Sequence, residues 1–259
     1  MPLPSAPSPS PDRPRKSPAL AIVLWSLVAA AGYGLYSGRL TVPERWNPWA
    51  PLDVMAPPDL LTSYKLSRAR SDPEQCLAAL GRTGMQYDVL PDRATAPGCG
   101  FDNAVRLRTA GVRIGAPLSL SCPMALSFFM WEKHALQAAA QQHFGQRVAA
   151  IDHLGSYACR NINRGEGTSP DVPGGSRSRH ATANALDIAG FTLENGQKIS
   201  LLNAWPRAAQ GSAPRPEALM LSDAHAGACR FFNGVLGPDY NAVHRDHFHL
   251  ETGGYRMCR

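Results

Sequence analysis

The chain of 259 residues is short of charge, and of acidic charge in particular. Charged residues make up 18% of it, with 20 Asp and Glu against 26 Lys and Arg, which gives a formal net charge of +6. An apolar fraction of 44% beside so little charge excludes a largely disordered chain and is typical of a globular protein. The positive excess favours an anionic partner. No basic run alternates with aromatic residues in the globular part, so we expect no nucleic-acid partner.

Two chemical motifs are also missing. There is no Gly-x-Ser-x-Gly segment, which argues against a serine nucleophile of the α/β-hydrolase kind. No two cysteines have the C-x-x-C spacing of a zinc knuckle. The six cysteines are Cys76, Cys99, Cys122, Cys159, Cys229 and Cys258. An even number behind an export segment predicts disulfides, with a reduced cytosolic protein as the alternative. Because neighbouring pairs close moderate loops, we expect Cys76–Cys99, Cys122–Cys159 and Cys229–Cys258.

The N-terminal part of the chain indicates export. Residues 1–18 are rich in Pro and Ser and predict a disordered cytoplasmic tail, whose basic residues precede an apolar segment. Residues 19–36 carry no charge and predict a membrane-spanning anchor with its N-terminus inside. A cleaved signal peptide is the alternative, since Ala29 to Ala31 offer small residues at a cleavage site. Residues 37–64 hold five prolines and predict a linker, followed by a domain at 65–259.

Residues 65–259 mix helix and strand signals in an order typical of an α+β domain. We predict a single domain whose antiparallel sheet is packed by helices. Pro73 and Pro123 each open a predicted helix, the second a long apolar one that runs to Phe144. A third helix is predicted from Pro216 to Val235. Predicted strands cover residues 86–90, 104–114, 147–157 and 184–191, and an Asn-Gly hairpin turn follows at 195–196.

Two polar blocks carry the candidate chemistry. Residues 178–191 read SRHATANALDIAGF, and residues 244–251 read HRDHFHLE with three of the eight histidines. If each block contains a strand, its side chains alternate between the two faces of the sheet. Asp187 is then on the face opposite to Leu186, and His247 and His249 are on the face opposite to Phe248. Two imidazoles and one carboxylate can hold Zn²⁺ with a fourth position open, as in catalytic sites. A buried, hydrogen-bonded histidine cluster is the alternative.

The same residues resemble a known group of proteins. Ser178-x-His180 through Asp187, followed by Asp246-His247-x-His249, resembles the zinc peptidases that include D-Ala-D-Ala carboxypeptidases, penicillin-insensitive murein endopeptidases and the hedgehog domain. Within that group the chain is most similar to the bacterial extensin-like C-terminal family. The resemblance extends over roughly residues 76–258, and its further motifs are Cys229, Phe231-Phe232, Leu236-Gly237-Pro238-Asp239 and Arg256-Met257-Cys258. One departure is Ala183, where the pattern commonly has Gly; it is costly only if φ there is positive.

The resemblance implies roles for these residues. His180, Asp187 and His249 are the expected zinc ligands. Asp246 is the expected acid that takes the proton of a zinc-activated water, and His244 is its substitute if Asp246 points away. The resemblance gives His247 a role in stabilising the oxyanion.

The substrate contacts and the function follow from the same resemblance. Arg160 and Ser178 are the expected substrate contacts, and Gly165 to Ser178 is long enough for a binding loop. The implied function is a periplasmic zinc peptidase that cuts peptidoglycan stem peptides or cross-links. The alternative is a non-catalytic zinc-containing module at the cell wall, and the bond that is cut stays open.

Overall fold

The computed structural model of the protein describes residues 18–162, 175–206 and 215–259. The helices are α1 (Pro18–Tyr36), α2 (Thr62–Ser71), α3 (Pro73–Leu80), α4 (Cys122–Trp131), α5 (Gln137–Phe144), α6 (Leu201–Ala204) and α7 (Pro216–Ala228). The strands are β1 (Gln86–Leu90), β2 (Arg93–Ala96), β3 (Cys99–Phe101), β4 (Ala104–Thr109), β5 (Leu118–Ser121), β6 (Val148–Gly155), β7 (Ala185–Leu193), β8 (Lys198–Ser200), β9 (Gly234–Leu236), β10 (Phe248–Glu251) and β11 (Met257–Cys258). Mixed helices and largely antiparallel sheets agree with the predicted class.

The chain divides into two units, Met1–Asn47 and Pro48–Arg259. In the first unit α1 forms where the apolar segment was predicted, and apolar side chains such as Ile22 and Trp25 are exposed. Within the described ranges, no helix combines the length and the apolar character needed to cross a membrane. Residues 1–17 of the predicted tail and residues 165–174 of the predicted binding loop lie outside the described residues.

The second unit is built around one apolar helical segment. α4 and α5 are joined by a π-helical turn at Glu132–Leu136, so the long helix predicted from Pro123 is interrupted once. Its central residue is Trp131, which is fully buried and whose Nε1 donates a hydrogen bond to the carbonyl of Ala224 at 2.8 Å. Its ring also contacts Phe128 on α4 itself, Phe191 on β7 and Phe232, four residues past the end of α7. The last two contacts join this helix to the main sheet and to the segment after α7. The core therefore lies between the helices and one face of that sheet.

The main sheet carries both predicted polar blocks. Its strand order is β11-β9-β10-β7-β6, with β8 added to β7, and β9 with β11 is its parallel pair. The strands β7 and β10 are antiparallel neighbours, although 54 residues separate their adjoining ends in the sequence, at Leu193 and Phe248. Leu186, Ile188, Phe248 and Leu250 point into the core, as the predicted alternation requires. The opposite face of both strands is thus free for polar side chains.

The disulfide pairing differs from the expected one. The bonds are Cys76–Cys122, Cys99–Cys159 and Cys229–Cys258. The third pair was predicted correctly, and the pairs Cys76–Cys99 and Cys122–Cys159 are wrong. The reason is tertiary: α3 packs on α4 and so brings Cys76 beside Cys122. The strand β3, which carries Cys99, packs on the 3₁₀ turn Arg179–Thr182, and the His180 carbonyl of that turn accepts from the N–H of Ala158, next to Cys159. Proximity along the chain does not decide which cysteines meet.

Several other boundaries differ from the sequence prediction. The strand predicted at 104–114 ends at Thr109, and residues Leu118–Ser121 form a separate strand that pairs back on it. The hairpin of β2 and β3 was not predicted at all. The helix predicted to reach Val235 ends at Ala228, and Gly234–Leu236 is a buried strand of the main sheet. The compact unit begins at Pro48, within the segment predicted as linker, and Leu52 and Val54 are buried in its core.

Candidate metal centre

The two polar blocks meet on one face of the main sheet. Asp187 on β7 lies directly opposite His249 on β10 in the antiparallel register. His180 comes from a 3₁₀ turn, Arg179–Thr182, just before β7. One ligand atom from each of His180, Asp187 and His249 lies within 4.8 Å of the other two. The structure therefore brings together the three residues that the sequence predicted as ligands.

The contacts inside this cluster identify the atoms that converge. His249 Nδ1 is 2.8 Å from Asp187 Oδ1, and His180 Nε2 is 3.1 Å from Asp187 Oδ2. The two imidazole nitrogens are 3.3 Å apart. His180 and His249 are buried, and the Asp187 side chain is 14% exposed. The cluster is thus a largely dehydrated set of two nitrogen donors and one carboxylate.

Local backbone structure holds His180 in place. Ser178 caps the 3₁₀ turn, and its hydroxyl oxygen accepts a hydrogen bond from the backbone N–H of His180 at 3.3 Å. The turn ends at Ala183 with φ +56°, a left-handed conformation that costs an L-residue energy. Ala183, which stands where the family pattern commonly has Gly, therefore has a backbone conformation that glycine would adopt without strain. His180 Nδ1 faces the carbonyl oxygen of Ser156 at 3.2 Å, and since a carbonyl only accepts, Nδ1 carries the proton.

The pKa values of Asp187, His249 and the neighbouring His244 are shifted by their surroundings. Burial acts to raise the pKa of Asp187, but hydrogen bonds from His180 and His249 outweigh it and hold that pKa below its usual value. Burial acts to lower the pKa of His249, but hydrogen bonds to Asp187 and Glu251 outweigh it and raise the pKa to about 9. Burial lowers the pKa of the neighbouring His244 to about 4, and His249 and His247 add to that effect. A carboxylate held ionised is suited to a cation.

The donor set fits a zinc ion on the chemistry of its atoms. Two imidazole nitrogens and one carboxylate oxygen are a usual three-ligand set for catalytic zinc. Ligand histidines in proteins usually donate their other ring N–H to an acceptor, which fixes the tautomer. His180 does so toward Ser156, and His249 Nε2 lies 3.2 Å from a Glu251 carboxylate oxygen. His180 and His249 therefore present a nitrogen to the cluster and hold the other outside it.

The remaining histidines of the second block surround this cluster. His247 Nε2 faces Asp187 Oδ1 at 3.7 Å, and His247 Nδ1 lies 2.9 Å from Asp246 Oδ1. The side chain of Asp246 is 44% exposed, and it is not among the described residues that line the cleft. Asp246 precedes β10, and its carboxylate contacts the nitrogen of His247 that is not the one facing Asp187. His244 is packed against His247 and His249, with ring centroids 5.2 and 5.7 Å away, and its Nδ1 is 2.7 Å from Asn241 Oδ1.

The cluster opens into a cleft of ≈ 830 Å³. Arg160 and Ser178, the two expected substrate contacts, both line it, and Arg160 is half-buried there. Arg179, exposed at the same cleft, packs over Gly254, while Arg177 donates to the carbonyl of Pro97 at 2.7 and 3.0 Å. Aromatic and apolar residues form the rest of the wall, among them Tyr240, Tyr255, Val243, Leu236 and Met257. The cleft thus offers cationic and apolar contacts beside the cluster.

Sequence reasoning missed two contributors to the site. Glu251 lies two residues after His249 on β10 and so on the same strand face, yet no role was predicted for it. The backbone carbonyl of Ser156, which orients His180, carries no side-chain signal that a sequence pattern can show. A second group of possible ligands, His225 with Cys229 and Cys258, has its two sulfurs joined in a disulfide, so neither is a thiolate.

Comparison with known proteins gives one match. The sequence model of a family described as "Extensin-like protein C-terminus" matches residues 74–259. No curated protein and no solved structure matches the chain. The matched range starts in α3 and contains every residue of the cluster and the cleft described above.

Proposed function

The chain belongs to the extensin-like C-terminal family, and from the cluster at His180, Asp187 and His249 we propose that it is a zinc-dependent peptidase of peptidoglycan. The observation that carries the proposal is the convergence of two nitrogens and one carboxylate oxygen on a single point at the floor of an open cleft. The motifs that resemble zinc D-Ala-D-Ala carboxypeptidases and murein endopeptidases fall on these same residues. The implied substrates are stem peptides or their cross-links.

The three cluster residues are the proposed ligands of the zinc. When bound there, zinc acts as a Lewis acid and lowers the pKa of a water molecule bound to it to about 7. His180 and Asp187 hold their geometry through Ser178, Ser156 and the β7–β10 register. Because the floor of the cleft is buried, an ionic contact made there is stronger than it is in water.

His247 is the residue best placed to move a proton. Its Nε2 faces the cluster, and its Nδ1 is held by Asp246 at 2.9 Å. A carboxylate behind an imidazole fixes the tautomer and stabilises the imidazolium that forms. We therefore assign His247 to accept the proton of the attacking water and to pass it to the leaving amine. Asp246, the acid expected from the sequence, orients His247 in this scheme, and His244 supports both imidazoles by packing.

Arg160 is the proposed contact for the substrate. A guanidinium beside the cluster can bind a peptide carboxylate or stabilise charge on a carbonyl oxygen. Among the described residues, the Arg160 guanidinium has one long hydrogen bond, 3.4 Å from Nη1 to the carbonyl of Asn161, and the residue lines the cleft. An anionic substrate also suits the net charge of +6.

The proposed location is the periplasm, with residues 19–36 as an inner-membrane anchor or a cleaved signal. Three disulfides support an oxidising compartment, because such bonds persist outside the cytosol.

Muropeptide digestion tests the proposal. The full-length protein is stripped of metal, reloaded with zinc and incubated with purified muropeptides, and the products are separated by chromatography and mass. We expect cleavage with zinc, loss of cleavage in His180→Ala, and no loss in His143→Ala, a matched histidine that is paired with Asp223 and does not line the cleft. An unchanged muropeptide profile with zinc present contradicts a peptidase.

The non-catalytic module is separated by a second variant. Asp246→Ala removes the partner of His247 but none of the three cluster residues. We expect zinc content to stay at the wild-type level while hydrolysis falls. If wild type binds zinc and peptidoglycan without cutting it, the module is the correct function.

A further inference from the structure

The outer nitrogen of His249 has an ionic partner, unlike that of His180. In His180 the outward Nδ1 donates to a neutral carbonyl, Ser156 O. In His249 the inward nitrogen is Nδ1, so the outward nitrogen is Nε2, and it lies 3.2 Å from Glu251 Oε2. An ionised carboxylate only accepts, so Glu251 gives Nε2–H an acceptor to donate to in the tautomer whose Nδ1 is open to bind an ion.

The position of Glu251 depends on the strand beside it. Gly234 on β9 is the cross-strand partner of Glu251 on β10. A Cβ placed on Gly234 would lie 2.4 Å from Glu251 Cγ and 2.7 Å from Glu251 Oε1, distances that real Cβ atoms do not show. The φ of Gly234 is not positive, so the conformation itself does not require glycine. The missing side chain makes room for the Glu251 side chain to fold back toward His249.

Charge gives a second reason for the arrangement. The Glu251 side chain is 20% exposed and that of Asp187 is 14% exposed. Buried charges in proteins are paired or coordinate metals. Imidazoles that bind a metal are neutral, so with an ion bound the two carboxylates carry two negative charges, which balance one divalent cation. Glu251 supplies the second charge without being one of the three converging donors.

We infer that Glu251 is a positioning residue of the metal centre: it fixes His249 in the tautomer that presents Nδ1 to the ion, and Gly234 exists at that position to admit it. The inference rests on the proposed zinc site. It goes beyond that site because neither residue is a ligand.

Zinc affinity of the metal-free full chain tests this, measured by competition with a chelator of known affinity. Loss of an outer partner of a ligand histidine weakens metal binding about 10–100-fold, and we expect that loss in Glu251→Ala. Glu251→Gln keeps an oxygen that can accept from Nε2, so we expect it to recover most of the affinity. Glu217→Ala is the matched control, a half-buried glutamate on α7 that is bonded to Gln197. It should bind zinc as wild type does.

Gly234→Ala isolates the proposed role of the missing side chain. We expect it to weaken zinc binding as Glu251→Ala does, and we expect the double variant Gly234→Ala/Glu251→Ala to be no weaker than Glu251→Ala alone. Long-range ¹H–¹⁵N spectra of histidine-labelled, zinc-loaded protein give a second readout: the Nε2–H form of His249 should be present in wild type and in Glu251→Gln and reduced in Glu251→Ala. Circular dichroism of the metal-free variants checks that each is folded.

The outcomes separate the two proposals. If the wild-type chain does not bind zinc, the proposed function fails. If wild type binds zinc and Glu251→Ala binds it equally well, the zinc site stands and the role of Glu251 is refuted. If Glu251→Gln is as weak as Glu251→Ala, the charge of Glu251 matters but tautomer control does not, and the inference as stated is wrong. If Gly234→Ala misfolds, the comparison of the two Glu251 variants still decides.

Discussion

Removal of the Cys99–Cys159 disulfide should lower the activity of the candidate site by more than the loss of folding stability explains. Cys159 directly precedes Arg160 in a segment without helix or strand. Ala158 N–H donates to the carbonyl of His180 at 3.2 Å, so the same segment also touches the 3₁₀ turn. The disulfide anchors this segment to β3. Without it, the guanidinium of Arg160 loses its fixed position at the cleft.

Cys76–Cys122 provides the comparison. The two disulfides close loops of 60 and 46 residues. The chain-entropy relation gives about 4.3 kcal/mol for the longer loop and about 4.0 kcal/mol for the shorter one. Cys76 and Cys122 are both fully buried, so their replacement adds a packing loss of about 1 kcal/mol. The double alanine variant of the core pair should therefore be the less stable of the two.

The variant without the Cys99–Cys159 disulfide should be the more stable of the two but the less active. A hydrogen bond to a charged group contributes about 1.5–3 kcal/mol, so misplacing Arg160 should lower kcat/KM by about 10- to 150-fold in Cys99→Ala/Cys159→Ala. Urea unfolding under non-reducing conditions gives the stabilities, and muropeptide hydrolysis is measured where both variants are folded. Equal kcat/KM in the two variants would refute the anchoring argument. A stability loss below about 1 kcal/mol in both would refute the entropy argument.

Three further predictions concern stability and use urea unfolding. Burial raises the pKa of Glu132, and a hydrogen bond from Gln137 offsets this only in part. The folded protein therefore holds a proton on Glu132 more tightly than the unfolded chain does, and the stability that this adds is present at low pH and lost as pH rises through the raised pKa. Glu132→Gln should thus lose less stability than wild type between pH 4 and 8, and parallel curves of stability against pH would contradict this. Ala183→Gly should change stability by less than about 0.5 kcal/mol, because it relieves about 1 kcal/mol of left-handed backbone strain but removes a buried methyl group worth about 0.8 kcal/mol. Ala183→Val should lose more than about 2 kcal/mol of stability. A Val variant as stable as wild type would show that the backbone at residue 183 is not strained. Trp131→Ala should lose about 3–5 kcal/mol, since three aromatic rings and a hydrogen bond to Ala224 depend on it, and a loss below 2 kcal/mol would mean that the core collapses around the gap.

The sequence determined the parts of the site that depend on local periodicity. Leu186 and Ile188 against Asp187, and Phe248 and Leu250 against His249, alternate with a period of two, which in a strand separates core from polar face whatever the neighbour is. The helix start at Pro73 was also local, because Asp72 accepts from the N–H of Gln75 within one turn. These features need no knowledge of distant residues.

Only the tertiary structure decided what depends on contacts between distant segments. The pairing of Cys76 with Cys122 follows from helix packing that brings their Cα atoms to 6.1 Å, and no spacing rule encodes it. Glu251 is only two residues from His249, yet the room for its side chain comes from Gly234 on the neighbouring strand β9. A residue pattern specifies which face a side chain occupies, whereas which atom it meets there is set by register, by neighbouring strands and by the space that a glycine such as Gly234 leaves.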